Sequence, residues 1–138
     1  MESKLTAAEI IVYADKDRII QVITNLLGNA IKFTPQGGKI STEVISLAKA
    51  EGIYPGECIQ VDVSDTGIGI EQKDLTRIFN KFEQVSLVQP SGIGGTGLGL
   101  AICKEIIELH KGKIWAQGQI GEGSKFSFII PKEIQMKT

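Results

Sequence analysis

The fold is read from the stretch PSGIGGTGLGLAICKEII, which runs from Pro90 to Ile107. Five glycines (Gly92, Gly94, Gly95, Gly97 and Gly99) fall within eight residues, and a helical apolar spacing follows in Leu98, Ile102, Ile106 and Leu109. A glycine-rich turn that opens into a helix gathers free backbone N–H groups and the positive end of the helix dipole at one point, which suits a phosphate. The same residues also suit a plain surface loop ahead of a core helix. This stretch by itself leaves both readings open.

The segment before it, Glu83 to Gly95, has no periodicity and carries Ser, Gln, Pro and Gly, so it reads as a long loop, either a lid or disorder. Upstream, Glu71 to Phe82 reads as a short helix ending in Ile78-Phe79-Asn80-Lys81-Phe82. Before that, Cys58 to Ser64 alternates as a strand, with Ile59, Val61 and Val63 on one face, and leads into Asp65-Thr66-Gly67-Ile68-Gly69. A carboxylate at a strand end followed by two spaced glycines lets the backbone turn tightly beside a flat ligand. The plain alternative is an Asx-turn in which Asp65 bonds its own backbone.

The N-terminal half supplies a second polar feature. Asp15 caps a predicted helix from Lys16 to Phe33, whose Ile19, Ile23, Leu26, Leu27 and Ala30 form a buried stripe. At ~100° per residue, Asn25, Asn29 and Lys32 gather on the other side, with Phe33 at the edge. Two asparagines four apart in a helix interior cost propensity, which favours a functional face over simple solvation. Pro35-Gln36-Gly37-Gly38 ends the helix.

The remaining elements are strands at Glu9–Tyr13, Lys39–Leu47, Lys113–Gln119 and Lys125–Ile130, with His110-Lys111-Gly112 stopping the last helix. The order is that of an α+β two-layer sandwich with helices on one face of a sheet. At 138 residues and 42% hydrophobic, one domain with a real core is expected over 1–138. A formal charge of −1 offers no basic field for nucleic acid. Cys58 and Cys103 are far apart with a single His in the chain, which argues against a zinc site or disulfide framework and for a reducing compartment. No apolar run approaches the roughly 20 residues of a membrane helix.

Taken together, these stretches resemble the ATP-binding catalytic domain of sensor histidine kinases, in the wider group shared with DNA gyrase, heat-shock chaperone and mismatch-repair ATPases. Asn25-Leu26-Leu27-Gly28-Asn29-Ala30-Ile31-Lys32-Phe33 is similar to that family's asparagine box. Asp65-Thr66-Gly67-Ile68-Gly69 resembles its first glycine box and Gly95-Thr96-Gly97-Leu98-Gly99-Leu100 its second; Phe79 and Phe82 resemble its phenylalanine box. The resemblance spans nearly the whole chain, in the family's order and spacing.

The resemblance implies a mixed, mostly antiparallel sheet with about three helices on one face, holding ATP and Mg²⁺. Asn29 is the implied metal ligand, with Asn25 beside it and Lys32 near the phosphates. Asp65 is implied to accept a hydrogen bond from the adenine amino group, with Ser124 supporting that pocket. Gly67 and Gly69 let the base approach the backbone, and Phe33 packs beside the nucleotide. Phe82 is placed with the nucleotide through its box. Gly95, Thr96, Gly97, Leu98 and Gly99 present the phosphate-binding backbone and hinge a lid from about Asn80 to Thr96.

Two other nucleotide motifs are excluded. No G-x-x-x-x-G-K-[ST] occurs, and the G-x-G-x-x-G formed by Gly92, Gly94 and Gly97 follows a polar, proline-bearing segment where a dinucleotide fold needs a strand. Hydrolysing relatives carry a glutamate one turn before the metal asparagine; Asn25 stands there, and an amide takes no proton at neutral pH. The implied activity is therefore phosphoryl transfer to a histidine on a separate dimerisation domain of the same parent kinase, and through it to a response regulator. His110, followed by Lys111 at a helix end, is expected to be structural, a positive ring favourable against the dipole. The chain is expected to be cytoplasmic, whether or not its parent is membrane-anchored, and to make no membrane contact itself. Gln84 stands where many relatives have an arginine, which bears on transfer rate. The alternatives are a degenerate regulatory module and a serine-kinase relative of the same group.

Overall fold

A computed structural model of the chain describes residues 2–5, 14–80 and 99–132. Helix α1 (Lys16–Phe33) starts where the Asp15 carboxylate accepts a hydrogen bond from the Arg18 N–H at 3.2 Å. This cap satisfies one of the donors that a helix start leaves open. Val22, Leu26 and Ala30, each four residues on from the last, are buried, and Ile19, Ile23 and Leu27 pack half-buried beside them. Thr34 is already extended, as a residue before proline must be.

The sheet has the order β1-β2-β3-β5-β4, formed by β1 (Glu2–Leu5), β2 (Ile40–Leu47), β3 (Cys58–Asp65), β4 (Lys113–Gly118) and β5 (Ser124–Pro131). β1 runs parallel to β2 and every other pairing is antiparallel. Alternation along β3 and β5 sends Ile59, Val61, Val63, Phe126, Phe128 and Ile130 into one core under α1 and α2 (Gly99–Leu109). The opposite face is capped at one end, where residues 48–57 fold back and set Ala50, Ile53 and Tyr54 against Cys58, Trp115 and Ile129.

The layered, mostly antiparallel architecture is the expected one, with two α-helices among the described residues instead of three. Glu71–Phe82 is not an α-helix over its described part: a 3-10 turn at Gln72–Asp74 is followed by i+3 bonds from the Arg77 N–H to Asp74 and the Asn80 N–H to Arg77, both 2.9 Å, and a single i+4 bond from the Ile78 N–H to Asp74 at 3.0 Å. Asp74, Ile78 and Phe79 are all drawn into the interior, and Phe79 meets Phe126 edge-on at 6.1 Å. Tight winding serves that plug better than a continuing helix. Of the expected stripe on α2, Ile106 is buried and Ile102 packs half-buried against the core, but Leu109 is 75% exposed, and Ala101, Cys103 and Ile107 complete the buried face. The expected strand at Glu9–Tyr13 lies outside the described residues, and β1 was not foreseen.

Candidate functional site

A cleft opens between the C-terminal half of α1, the end of β3 and the start of α2. Asn29 and Phe33 line it from α1, Asp65 and Gly69 from β3 and the turn after it, Leu100 from α2 and Ser124 from β5. Ala30, Ile70, Ile78 and Phe126 complete an apolar floor. The composition is that of a small-molecule site: an apolar slot with few, fixed polar groups.

Among the described residues Asp65 is the one carboxylate on that wall, and it is buried. Its Oδ1 accepts the Gly67 N–H at 2.8 Å and its Oδ2 accepts the Ser124 hydroxyl at 2.6 Å. The Gly67 bond is the Asx-turn of the plain reading; the Ser124 bond goes beyond it. An ionised carboxylate offers about four acceptor positions, so both oxygens keep capacity for an amine on a ligand. Two bonds in different directions also fix the plane of the group.

The two glycines after Asp65 are required by protein backbone as much as by any ligand. A Cβ at Gly67 would land on the Phe33 carbonyl oxygen. Gly69 has φ +82°, and a Cβ there would land on the Gln119 carbonyl. The Phe33 carbonyl accepts the Ile68 N–H at 3.3 Å, and the Ile68 carbonyl accepts the Gly121 N–H at 2.9 Å, so the turn is clasped between the end of α1 and the β4–β5 connection. A third clasp comes from Thr66, whose hydroxyl accepts the Lys39 N–H at 2.9 Å.

One cleft thus brings together Asn29, Phe33, Asp65, Gly69 and Ser124. Asn25 and Lys32 are half-buried and do not line the cleft. The Asn25 amide instead donates to the buried Cys103 Sγ at 3.6 Å, tying α1 to α2. Gly99 begins α2 with open space around it. Phe82, Gly95, Thr96, Gly97 and Leu98, with the expected lid, lie outside the described residues.

Sequence reasoning missed Ile70, Ile78, Leu100 and Phe126, whose apolar side chains carry no signal that separates a cleft floor from a core. It also assigned His110 a charge that the geometry excludes. The Asp15 N–H donates to His110 Nε2 at 3.0 Å, so that nitrogen is an acceptor; Nδ1, 2.8 Å from the Ile106 carbonyl, carries the proton. The ring is neutral and structural, a latch between the two helices.

A family profile described as histidine kinase-, DNA gyrase B-, and HSP90-like ATPase matches residues 14–134. The chain is 37% identical over 123 residues to sensor histidine kinase WalK of Bacillus subtilis, a match covering 89% of this chain and 19% of WalK. It is 45% identical over 121 residues to the adaptive-response sensory kinase SasA of Thermosynechococcus vestitus, covering 88% and 30%. Among solved structures, full-length ShkA in complex with AMPPNP superposes with a TM-score of 0.77 at 27% identity, covering 99% of this chain and 26% of ShkA. The chain therefore spans less than a third of each of these relatives.

Proposed function

The chain belongs to the histidine kinase-, DNA gyrase B- and HSP90-like ATPase family, and on that premise we infer that it binds ATP with Mg²⁺ and supplies the γ-phosphoryl group to a histidine on a separate dimerisation domain of its parent kinase. The observation that carries this reading is the Asp65 carboxylate, held by Gly67 and Ser124 at the wall of an apolar slot that also presents Asn29. A fixed carboxylate in an apolar slot accepts from an exocyclic amine and rejects a carbonyl oxygen in its place, which favours adenine over guanine.

The donor set fits Mg²⁺. Among the described residues Asn29 is the one amide on the cleft wall, and Asp65, the one carboxylate, accepts two hydrogen bonds. A hard cation that keeps its waters and shares phosphate oxygens needs little more from the protein than one such oxygen. When bound, the ion supplies neutralisation of phosphate charge. Asn29 would hold it, Asp65 would orient the base, and Phe33 with the apolar floor would exclude water from the base.

Transfer rather than hydrolysis is the reading that Asn25 supports. The residue at position 25 is an amide, which takes no proton at neutral pH, and its N–H donates to Cys103 Sγ. His110 has both ring nitrogens in use, which supports an acceptor histidine elsewhere in the parent, with a response regulator downstream of it. One catalytic unit over residues 1–138 remains part of this reading.

The test is calorimetric titration of the chain with a non-hydrolysable ATP analogue, with and without Mg²⁺, repeated on Asp65→Asn. Binding that Mg²⁺ strengthens and the substitution abolishes is the expected result. No binding by the intact chain would overturn the reading in favour of a degenerate module.

A further inference from the structure

The antiparallel ladder of β2 with β3 ends at the pair Ile40↔Asp65. The next two residues, Lys39 and Thr66, still bond to each other, but not as a ladder pair. Residues opposed at a hydrogen-bonded position of an antiparallel ladder exchange two backbone N–H···O=C bonds. One of the two is present here: the Thr66 N–H donates to the Lys39 carbonyl at 3.0 Å. The other has changed acceptor, since the Lys39 N–H donates to Thr66 Oγ1 at 2.9 Å. The hydroxyl stands in for the Thr66 carbonyl, as Ser and Thr side chains do where they compete with secondary structure. The ladder therefore stops at Asp65.

That stop bears directly on the Asp65 carboxylate. In a continuing strand the N–H groups lie in the sheet, whereas side chains stand off its faces. The Gly67 N–H reaches Asp65 Oδ1 at 2.8 Å because the chain has already left the strand. Gly38 leaves room for the hydroxyl: a Cβ there would land on Thr34 Cγ2 and lie 3.0 Å from Thr66 Oγ1. Thr66 is itself exposed and does not line the cleft, so its influence on a ligand passes through Asp65. Resting on the ATP reading above, we propose that Thr66 is a positioning residue for the adenine base. Its hydroxyl ends β3 at Asp65 and thereby keeps one of the two hydrogen bonds that fix the plane of the carboxylate.

Thr66→Val keeps the shape and removes the hydroxyl; Thr66→Ser keeps the hydroxyl. In the valine variant the Lys39 N–H turns to the backbone carbonyl of position 66, the strand lengthens, and the Gly67 N–H swings away from Asp65. Amide hydrogen exchange without nucleotide should show Gly67 exchanging about tenfold faster in Thr66→Val, with Val61 and Val63 unchanged and Thr66→Ser like the native chain. Calorimetric titration should show affinity for an adenine nucleotide analogue about tenfold weaker in Thr66→Val, with a smaller preference over the guanine analogue, and both retained in Thr66→Ser. A Gly67 amide that keeps its protection, β3 amides that all loosen alike, or an adenine preference that survives in Thr66→Val overturns the proposal. An intact chain that binds neither analogue is a different failure, that of the ATP reading, and takes this role down with it.

Discussion

Asp65 and Ser124 sit directly opposite each other across β3 and β5, and the Ser124 hydroxyl closes on Asp65 Oδ2 at 2.6 Å. The sheet register itself therefore aims the carboxylate. Asp65 ends β3 and Ser124 begins β5, so the pair stands at the rim of the sheet, where the cleft opens. Gly123 makes the approach possible: its φ is +84°, and a Cβ there would land on the Asp65 carbonyl.

Ser124→Ala should leave the fold and the Gly67 bond intact while freeing one carboxylate oxygen to rotate. A hydrogen bond to a charged group contributes about 1.5–3 kcal/mol, so affinity for an adenine nucleotide should fall about tenfold or more. Preference for adenine over guanine should shrink with it. Calorimetric titration with both nucleotide analogues reads this directly. Unchanged affinity in Ser124→Ala would show that the hydroxyl does not position Asp65 for a ligand.

How far the sequence carried depended on how many local signals agreed. At α1 the Asp15 cap, the periodic stripe and Pro35 all pointed to the same ends, and Lys16–Phe33 is the helix observed. At Glu71–Phe82 the sequence suggested a short helix but not how tightly the chain winds to bury Asp74, Ile78 and Phe79. Asn29, Asp65 and Gly69 stood out in the sequence because polar groups and glycines are costly where they lack a role, whereas Phe33 and Ser124 were singled out through the family resemblance. The floor did not stand out, since Ile70 and Phe126 would look the same in any core. The link from Asp15 to His110 spans 95 positions and exists only in the tertiary structure.

The glycines separate into opposite classes. Gly69 combines a left-handed φ of +82° with backbone where a Cβ would go, so Gly69→Ala should destabilise by more than about 2 kcal/mol. Gly28 lies inside α1 with nothing within 4 Å of a Cβ. Gly28→Ala should therefore stabilise by about 0.5–1 kcal/mol. Urea unfolding of both variants measures the contrast, and a destabilised Gly28→Ala would contradict the open surroundings.

Stability should fall in alkali through Cys103. Burial pushes its thiol up to about 11 from 9.0, against a smaller lowering by the Asn25 amide. The folded state thus holds the proton more tightly than the unfolded chain. The stabilisation is complete below about pH 9 and is lost as pH rises towards 11. Its size is about 2–3 kcal/mol at ~1.4 kcal/mol per tenfold in proton affinity. Unfolding free energies from pH 8 to pH 11 should slope downward in the native chain and less steeply in Cys103→Ala. Equal slopes would assign the alkaline loss to other groups.

His110 should behave as a neutral latch. Its Nε2 takes the Asp15 N–H while its Nδ1–H is held by Ile106, so the ring joins the end of α2 to the start of α1. His110→Ala leaves the Asp15 N–H and the Ile106 carbonyl without the ring and should cost about 1–2 kcal/mol in unfolding experiments. Nitrogen chemical shifts of the neutral ring should report the Nδ1–H tautomer. Phosphorylation at either ring nitrogen would break one of the two bonds, so incubation with labelled ATP should leave His110 unlabelled. A ring found in the Nε2–H form would show that Asp15 is not its partner, and the stability loss of the alanine variant should then disappear as well.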